Sequence, residues 1–250
     1  MEIDATRMVK EIVLEEPASA KVFEQIGIDY CCGGDRTLSD ACRATGVDVE
    51  DIAQLLEAEK SSVVTEDECI DWNKRSLTRL INLIVEKHHT FCRAEIPRIK
   101  ALLGKVTQVH GSLHHELRRI QALFTELGDE LLIHLLKEEQ ILFPQIVGIE
   151  GASAHRMPSR QAILPRVQSP IQTLILDHDS AGAALHEIRR LSQNYQAPAD
   201  ACGSYRALYG ALQSFEAGLH QHVHLENNIL FPRAVAMEQA VVSGGKKGLN

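Results

Sequence analysis

The chain has 250 residues, 44% of them hydrophobic and 24% charged, enough to bury a substantial core and leave room for a second small unit. Its formal net charge of −8 disfavours DNA or RNA as a partner, because non-specific nucleic-acid affinity rests on Lys and Arg neutralising phosphates. No stretch approaches the ~20 apolar residues of a membrane span.

The opening MEIDATRMVKEIVLEEPAS lacks the uninterrupted apolar run of a signal peptide. Six cysteines without an export signal then predict a reducing cytoplasm, where thiols act as ligands or nucleophiles more often than as disulfides. Residues 1–65 read as a small helical domain of short amphipathic stretches, broken by the Gly-rich IGIDYCCGGDRTL and followed by a polar linker, KSSVVTEDE. Within it Cys31-Cys32-Gly33-Gly34 places two neighbouring thiols at a loop leading into a helix. Such a pair forms a disulfide only with strained geometry. A helix N-terminus would lower a thiol pKa and make it a better nucleophile or soft-metal ligand, so Cys31 and Cys32 are the candidate catalytic pair.

Beyond the linker the helix period takes over, at roughly 71–104, 112–147, 169–195 and 203–238, with breakers at Gly104, Gly111, GIEGASAHRMPSR and Ala197-Pro198. Four long helices predict a bundle over 66–240, with 241–250 as a flexible tail. An internal repeat sharpens this. HLLKEEQILFP at 134–144 and HVHLENNILFP at 222–232 share six of eleven residues at an offset of 88. Upstream, Leu117, Ile120, Phe124, Leu127, Leu131, His134, Glu138 and Ile141 step by three and four along the second helix. Leu208, Leu212, Phe215, Leu219, His222, Glu226 and Ile229 do the same along the fourth. A buried seam therefore runs into a His/Glu pair twice.

A His and a Glu four residues apart differ by about 40° around a helix and about 6 Å along it, so both can chelate from one face. On the third helix His178 lies on the stripe Ile171, Leu174, Ala181, Leu185, Ile188. On the first, Leu77, Ile81 and Ile84 point to His88, whereas Val85, Cys92, Ile96, Ile99 and Leu103 point to His89. Periodicity does not settle this choice cleanly. His89 is preferred, because its separation from His178 fits the 88-residue repeat better.

A single helix histidine is more often satisfied by its neighbours than bound to metal. Four imidazoles and two carboxylates buried together without a cation, however, would cost several kcal/mol per unpaired charge. Four nitrogens and two bridging carboxylates, with an oxide or hydroxide between the ions, give each metal five ligands and one open position. That donor set suits iron, with manganese second, better than a closed zinc site. His220 and His224 lie about 160° from His222, His114, His115, His155 and His186 fall off the stripes or in a loop, and Cys92 reads as a small core residue. His110 is left without a role.

Together, IGIDYCCGGDRTL, VEKHHTF, HLLKEEQILFP, LDHD and HVHLENNILFPRA resemble the repair-of-iron-centres family, the ScdA/YtfE/DnrN/NorA group, over nearly the whole chain. The resemblance implies an all-α chain, a hemerythrin-like four-helix bundle behind a small N-terminal helical domain. It implies the ligands His89, His134, Glu138, His178, His222 and Glu226, with both glutamates bridging two oxo- or hydroxo-linked iron ions, and it selects His89 over His88. The function it implies is recovery of iron–sulfur proteins damaged by nitric oxide or oxidants, by supplying iron; the Cys31-Cys32 pair is then expected to assist delivery or docking. The alternatives are a nitric oxide or dioxygen buffer or sensor, and a nitric oxide reductase acting at the same irons. Whether the chain is an enzyme and whether it forms a homodimer both stay open.

Overall fold

The computed structural model describes residues 4–60, 70–154 and 166–244, and the helices below account for most of them. No strand occurs among the described residues, only an isolated bridge between Met8 and Thr37. The all-α expectation is met. The linker KSSVVTEDE beyond Lys60, His155 and the rest of its loop to 165, and the last six residues lie outside the described part. No described helix is long and apolar enough to cross a membrane. The chain divides into two compact units, one comprising the residues up to Ser76 together with His220–Pro232, the other Leu77–Leu219 and the residues from Arg233 on.

The first unit holds α1 (Val9–Glu15), α2 (Ser19–Ile26), α3 (Leu38–Thr45) and α4 (Val49–Lys60). α2 and α3 stop at Gly27 and Gly46, whose φ values of 77° and 72° place them in the left-handed region that glycine tolerates best. At the start of α3 the Thr37 hydroxyl caps the Asp40 N–H at 3.1 Å. Val9, Phe23, Tyr30, Leu38 and Ile52 form its core.

In the second unit α5 (Leu77–Leu83) and α6 (Thr90–His110) make one continuous rod, as do α7 (Glu116–Lys137) and α8 (Phe143–Ala154). α9 (Gln168–Leu191) and α10 (Gly203–Leu225) follow, and α11 (Phe231–Gly244) prolongs the last rod, whose stretch from His220 to Pro232 belongs to the first unit. Gly104 does not break α6: a lone glycine costs a packed helix only about 1 kcal/mol. The rod beyond Phe143 likewise runs on through Gly148 and Gly151 to Ala154, and α11 includes residues 241–244. The start of GIEGASAHRMPSR is therefore helix. Glu150, within that stretch, has a job: its carboxylate accepts the Leu77 N–H (2.6 Å) and the Thr78 N–H (2.9 Å), satisfying donors that the first turn of α5 leaves open. The first rod accordingly begins at Leu77, with only a short 3₁₀ turn at Trp72–Lys74 before it. α6 and α7 approach closely at Gly128, where a Cβ would come within 2.8 Å of Ile96. Phe215 packs between Phe91 and Phe124, with ring centroids 6.1 and 5.2 Å apart.

Three of the rods change pitch. Ile84–His89, Glu138–Leu142 and Glu226–Leu230 are π-helical, each accommodating an extra residue in the turn. The inserted residue shifts the buried face by one position. Leu77, Ile81, Ile84 and His88 are buried before the shift, and His89, Cys92, Ile96, Ile99 and Leu103 after it. The two competing stripes of the sequence are thus the two halves of one bulged helix, and His88 and His89 are both buried. The same shift corrects the seam at Ile141, which is 52% exposed while Leu142 takes the inward position.

Candidate metal centre

Each π segment carries or adjoins a predicted ligand. His89 ends the first, Glu138 opens the second one turn after His134, and Glu226 opens the third one turn after His222. Bulges of this kind recur at functional sites because they re-aim a side chain without ending the helix. His89, His134, Glu138, His178, His222 and Glu226 are all buried.

Glu138 Oε1 lies 3.2 Å from His134 Nε2, and Glu138 Oε2 lies 3.3 Å from His89 Nε2. Nε2 of His178 comes within 3.0 Å of Nε2 of His134. On the last rod, His222 Nε2 and Glu226 Oε1 are 3.1 Å apart. Ligand-capable atoms of His89, Glu138, His222 and Glu226 all fall within 4.8 Å of one another, as do those of His134, Glu138, His178 and Glu226. Both groups of four share the two glutamates.

Two acids absent from the sequence-based set support the histidines from behind. His89 Nδ1 donates to Glu139 Oε1 (2.6 Å), which Arg93 also holds at 2.8 Å. His134 Nδ1 donates to Asp177 Oδ2 (3.2 Å), itself held by Lys137 at 3.0 Å. With the proton on Nδ1, each ring turns a lone pair at Nε2 toward Glu138, the arrangement that carboxylate–histidine pairs provide in metal sites. Burial would raise both acids, but the bonds from His89 and Arg93 hold Glu139 below its ordinary value, and those from His134 and Lys137 do the same for Asp177. The available signal was adjacency: each acid sits beside a predicted ligand, in KEEQ and in LDHD.

Away from this cluster, Cys31 and Cys32 stand with sulfurs 3.7 Å apart and no disulfide between them. They do not begin a helix, since α3 starts only at Leu38. The expectation of a lowered thiol pKa fails at Cys31: its bond with Cys32, burial and the Asp29 carboxylate push it well above the ordinary cysteine value. His220 donates to Glu24 (2.7 Å). His224, buried beside Asn228 (2.9 Å) and the Tyr30 ring, has its pKa lowered to about 4 by burial. His110, given no role from sequence, has its Nε2 3.3 Å from Sγ of the exposed Cys202. His114 pairs with Asp200 at 3.1 Å, and His115 and His186 are exposed. Cys92 is buried and belongs to neither group of four.

A helical bundle that gathers imidazoles and carboxylates at its core defines a cation-binding protein of hemerythrin type. A model described as the hemerythrin HHE cation binding domain matches residues 79–234, and one described as ScdA_N, a domain of unknown function, matches residues 5–60. The chain belongs to the hemerythrin HHE family and, more narrowly, to the group of the iron–sulfur cluster repair proteins. It is 36% identical over 223 residues to the iron-sulfur cluster repair protein YtfE of Yersinia pseudotuberculosis serotype IB (strain PB1/+), covering 89% of this chain and 93% of that protein. The YtfE protein of Yersinia pestis (strain Pestoides F) gives the same identity and coverage.

Proposed function

We propose that this chain is a cytoplasmic di-iron protein that repairs iron–sulfur clusters damaged by nitric oxide or oxidative stress, by supplying iron. The observation that carries the reading is Glu138, a fully buried carboxylate whose two oxygens face two different histidines, His89 and His134. Both oxygens lack a hydrogen-bond donor among the described residues. A buried carboxylate so placed is costly unless a cation meets it.

The donor set fits the metal. Imidazole nitrogens and carboxylate oxygens without thiolate suit iron held in a four-helix bundle. His89, His134, His178 and His222 would supply the nitrogens, with Glu138 and Glu226 shared between the two ions. Bound there, the iron pair supplies both transferable metal and open positions for a small ligand such as nitric oxide or dioxygen. The chain's own part is to aim Nε2 of His89 and His134 through Glu139 and Asp177, and to keep water away from Glu138. Cys31 and Cys32 assist delivery to the damaged client.

Repair is tested with an iron–sulfur dehydratase inactivated by nitric oxide. The iron-loaded protein is expected to restore its activity under anaerobic conditions, and the Glu138→Ala variant is not. Equal recovery with the iron-depleted variant would overturn the iron-supply reading. Reversible nitric oxide binding without repair by either form would favour the buffer or sensor.

A further inference from the structure

The two thiols of the first unit share their loop with a carboxylate. Asp29 Oδ1 accepts the N–H groups of Cys31 and Cys32, both at 2.9 Å, and Oδ2 accepts the Gly33 N–H at 2.9 Å. Oδ1 also lies 3.2 Å from the Cys31 sulfur, whose thiol donates to it. Ligand-capable atoms of Asp29, Cys31 and Cys32 all fall within 4.8 Å of one another.

The loop is held in this shape. Its backbone is fastened to α1 through the Lys10 N–H to the Gly34 carbonyl (3.1 Å) and the Val9 N–H to the Arg36 carbonyl (3.0 Å). Gly34 admits no side chain, since a Cβ there would come within 2.5 Å of the Tyr30 carbonyl oxygen and 2.8 Å of Lys10. Two sulfurs and one oxygen are therefore presented together before any ligand arrives, which reduces the ordering cost of binding.

We propose that Asp29, Cys31 and Cys32 form a second metal site that takes one divalent cation of borderline softness, ferrous iron as cargo on its way to a client. The inference rests on the repair reading and adds the carboxylate as third donor. With Cys31 protonated, its S–H bond to Asp29 Oδ1 satisfies both groups. Were the proton lost with nothing in its place, sulfur and oxygen would be two anions 3.2 Å apart. A dication replaces that proton and the one on Cys32. Two S–H bonds break, two metal–sulfur bonds form, two protons pass to solvent, and no electron changes hands. Affinity therefore rises with pH. Thiolate favours soft and borderline ions over magnesium or calcium. Three protein donors leave coordination positions from which an acceptor thiolate can draw the ion away.

The test titrates cobalt(II) into the reduced, full-length, iron-loaded protein under anaerobic conditions. Expected is one metal beyond the iron complement, a near-ultraviolet thiolate-to-cobalt absorption band, and about two protons released per cobalt. The Cys31→Ser, Cys32→Ser variant loses the band, and Asp29→Asn, which keeps an oxygen for the backbone N–H groups, weakens binding roughly tenfold or more. Cys32→Ser alone, at a partly exposed position, reduces the band even if Asp29→Asn disturbs the loop. A wild-type protein without the band, or serine variants that keep it, overturns the site, and an Asp29→Asn protein that titrates like wild type overturns the third donor. The same preparations are assayed for cluster repair. Variants that lose cobalt yet repair normally leave the site standing and remove its delivery role. A wild-type protein that shows no band, while its cysteine variants are impaired in repair, overturns the site and leaves the repair reading in place.

Discussion

Glu138 Oε1 stands 3.2 Å from Nε2 of His134, one helical turn before it, while its second oxygen reaches His89 on another rod at 3.3 Å. The π turn that opens at Glu138 re-aims this side chain while the helix continues through Phe143. Each oxygen of this buried carboxylate thus faces a different histidine, which is the geometry the proposed shared-glutamate site requires.

The acids behind the histidines are expected to tune metal retention. Glu139→Gln and Asp177→Asn each leave all six proposed ligands in place and should lower iron affinity roughly 10- to 100-fold. Competition against a calibrated chelator measures it, and unchanged affinity in both variants would mean that these bonds do not orient the ligands.

Neighbouring histidines should separate cleanly although both are buried. His89→Ala is expected to lower iron content. His88→Ala should keep the iron and lose stability instead, because His88 is buried but lies in neither group of four. Metal analysis with thermal unfolding of both variants checks this; iron loss from His88→Ala alone would reverse the assignment.

Among the cysteines of the described residues, Cys202 is expected to be the most readily alkylated at neutral pH. N–H bonds from Tyr205, then the His110 ring, lower its pKa below the usual cysteine value. A lowered pKa populates the thiolate at lower pH, so the alkylation rate should climb at lower pH than for an unstructured cysteine. In His110→Gln the climb should move up. Mass spectrometry of labelled peptides across a pH series reads it, and a profile unaffected by His110→Gln would show that the ring does not act on the thiol.

Glu150→Gln should destabilise the second unit by about 1 kcal/mol at neutral pH, the magnitude of a lost helix cap. Burial pulls the Glu150 carboxyl upward, but its bonds from Thr78 and Leu77 prevail and hold it below the ordinary value. For a carboxylate depressed in the folded state, the stabilisation is complete above the unfolded pKa and disappears as pH falls through the folded one. Wild type and variant should therefore converge in acid, which denaturant melts at several pH values would reveal.

Much of the fold was legible because a bundle writes its burial into the helix period. His134, Glu138, His222 and Glu226 were visible through the 88-residue repeat, and His178 through its stripe. What the period could not show was a change in the period. At His88/His89 two good stripes disagreed because one residue had been inserted between them, and at Ile141 a strict count chose the wrong neighbour. Glu150 was hidden because its partners, Leu77 and Thr78, are more than 70 residues away. The CCGG motif reads correctly as a loop leading into a helix, but the sequence does not show that Asp29 organises it, forming a turn by accepting three consecutive N–H groups. His220 and His224 lie off the seam, yet they meet Glu24 and Tyr30 within the first unit.

The most direct test of the di-iron account is the metal content of the full-length protein, reconstituted anaerobically with ferrous iron, beside the Glu138→Ala, Glu226→Ala double variant. The protein is expected to hold about two irons per chain in the bundle, as carboxylate-bridged bundle sites do, with the Mössbauer signature of a coupled pair after oxidation, and the double variant is expected to lose the pair. One isolated iron in the wild type, or a coupled pair that survives removal of both carboxylates, would contradict the shared-glutamate site.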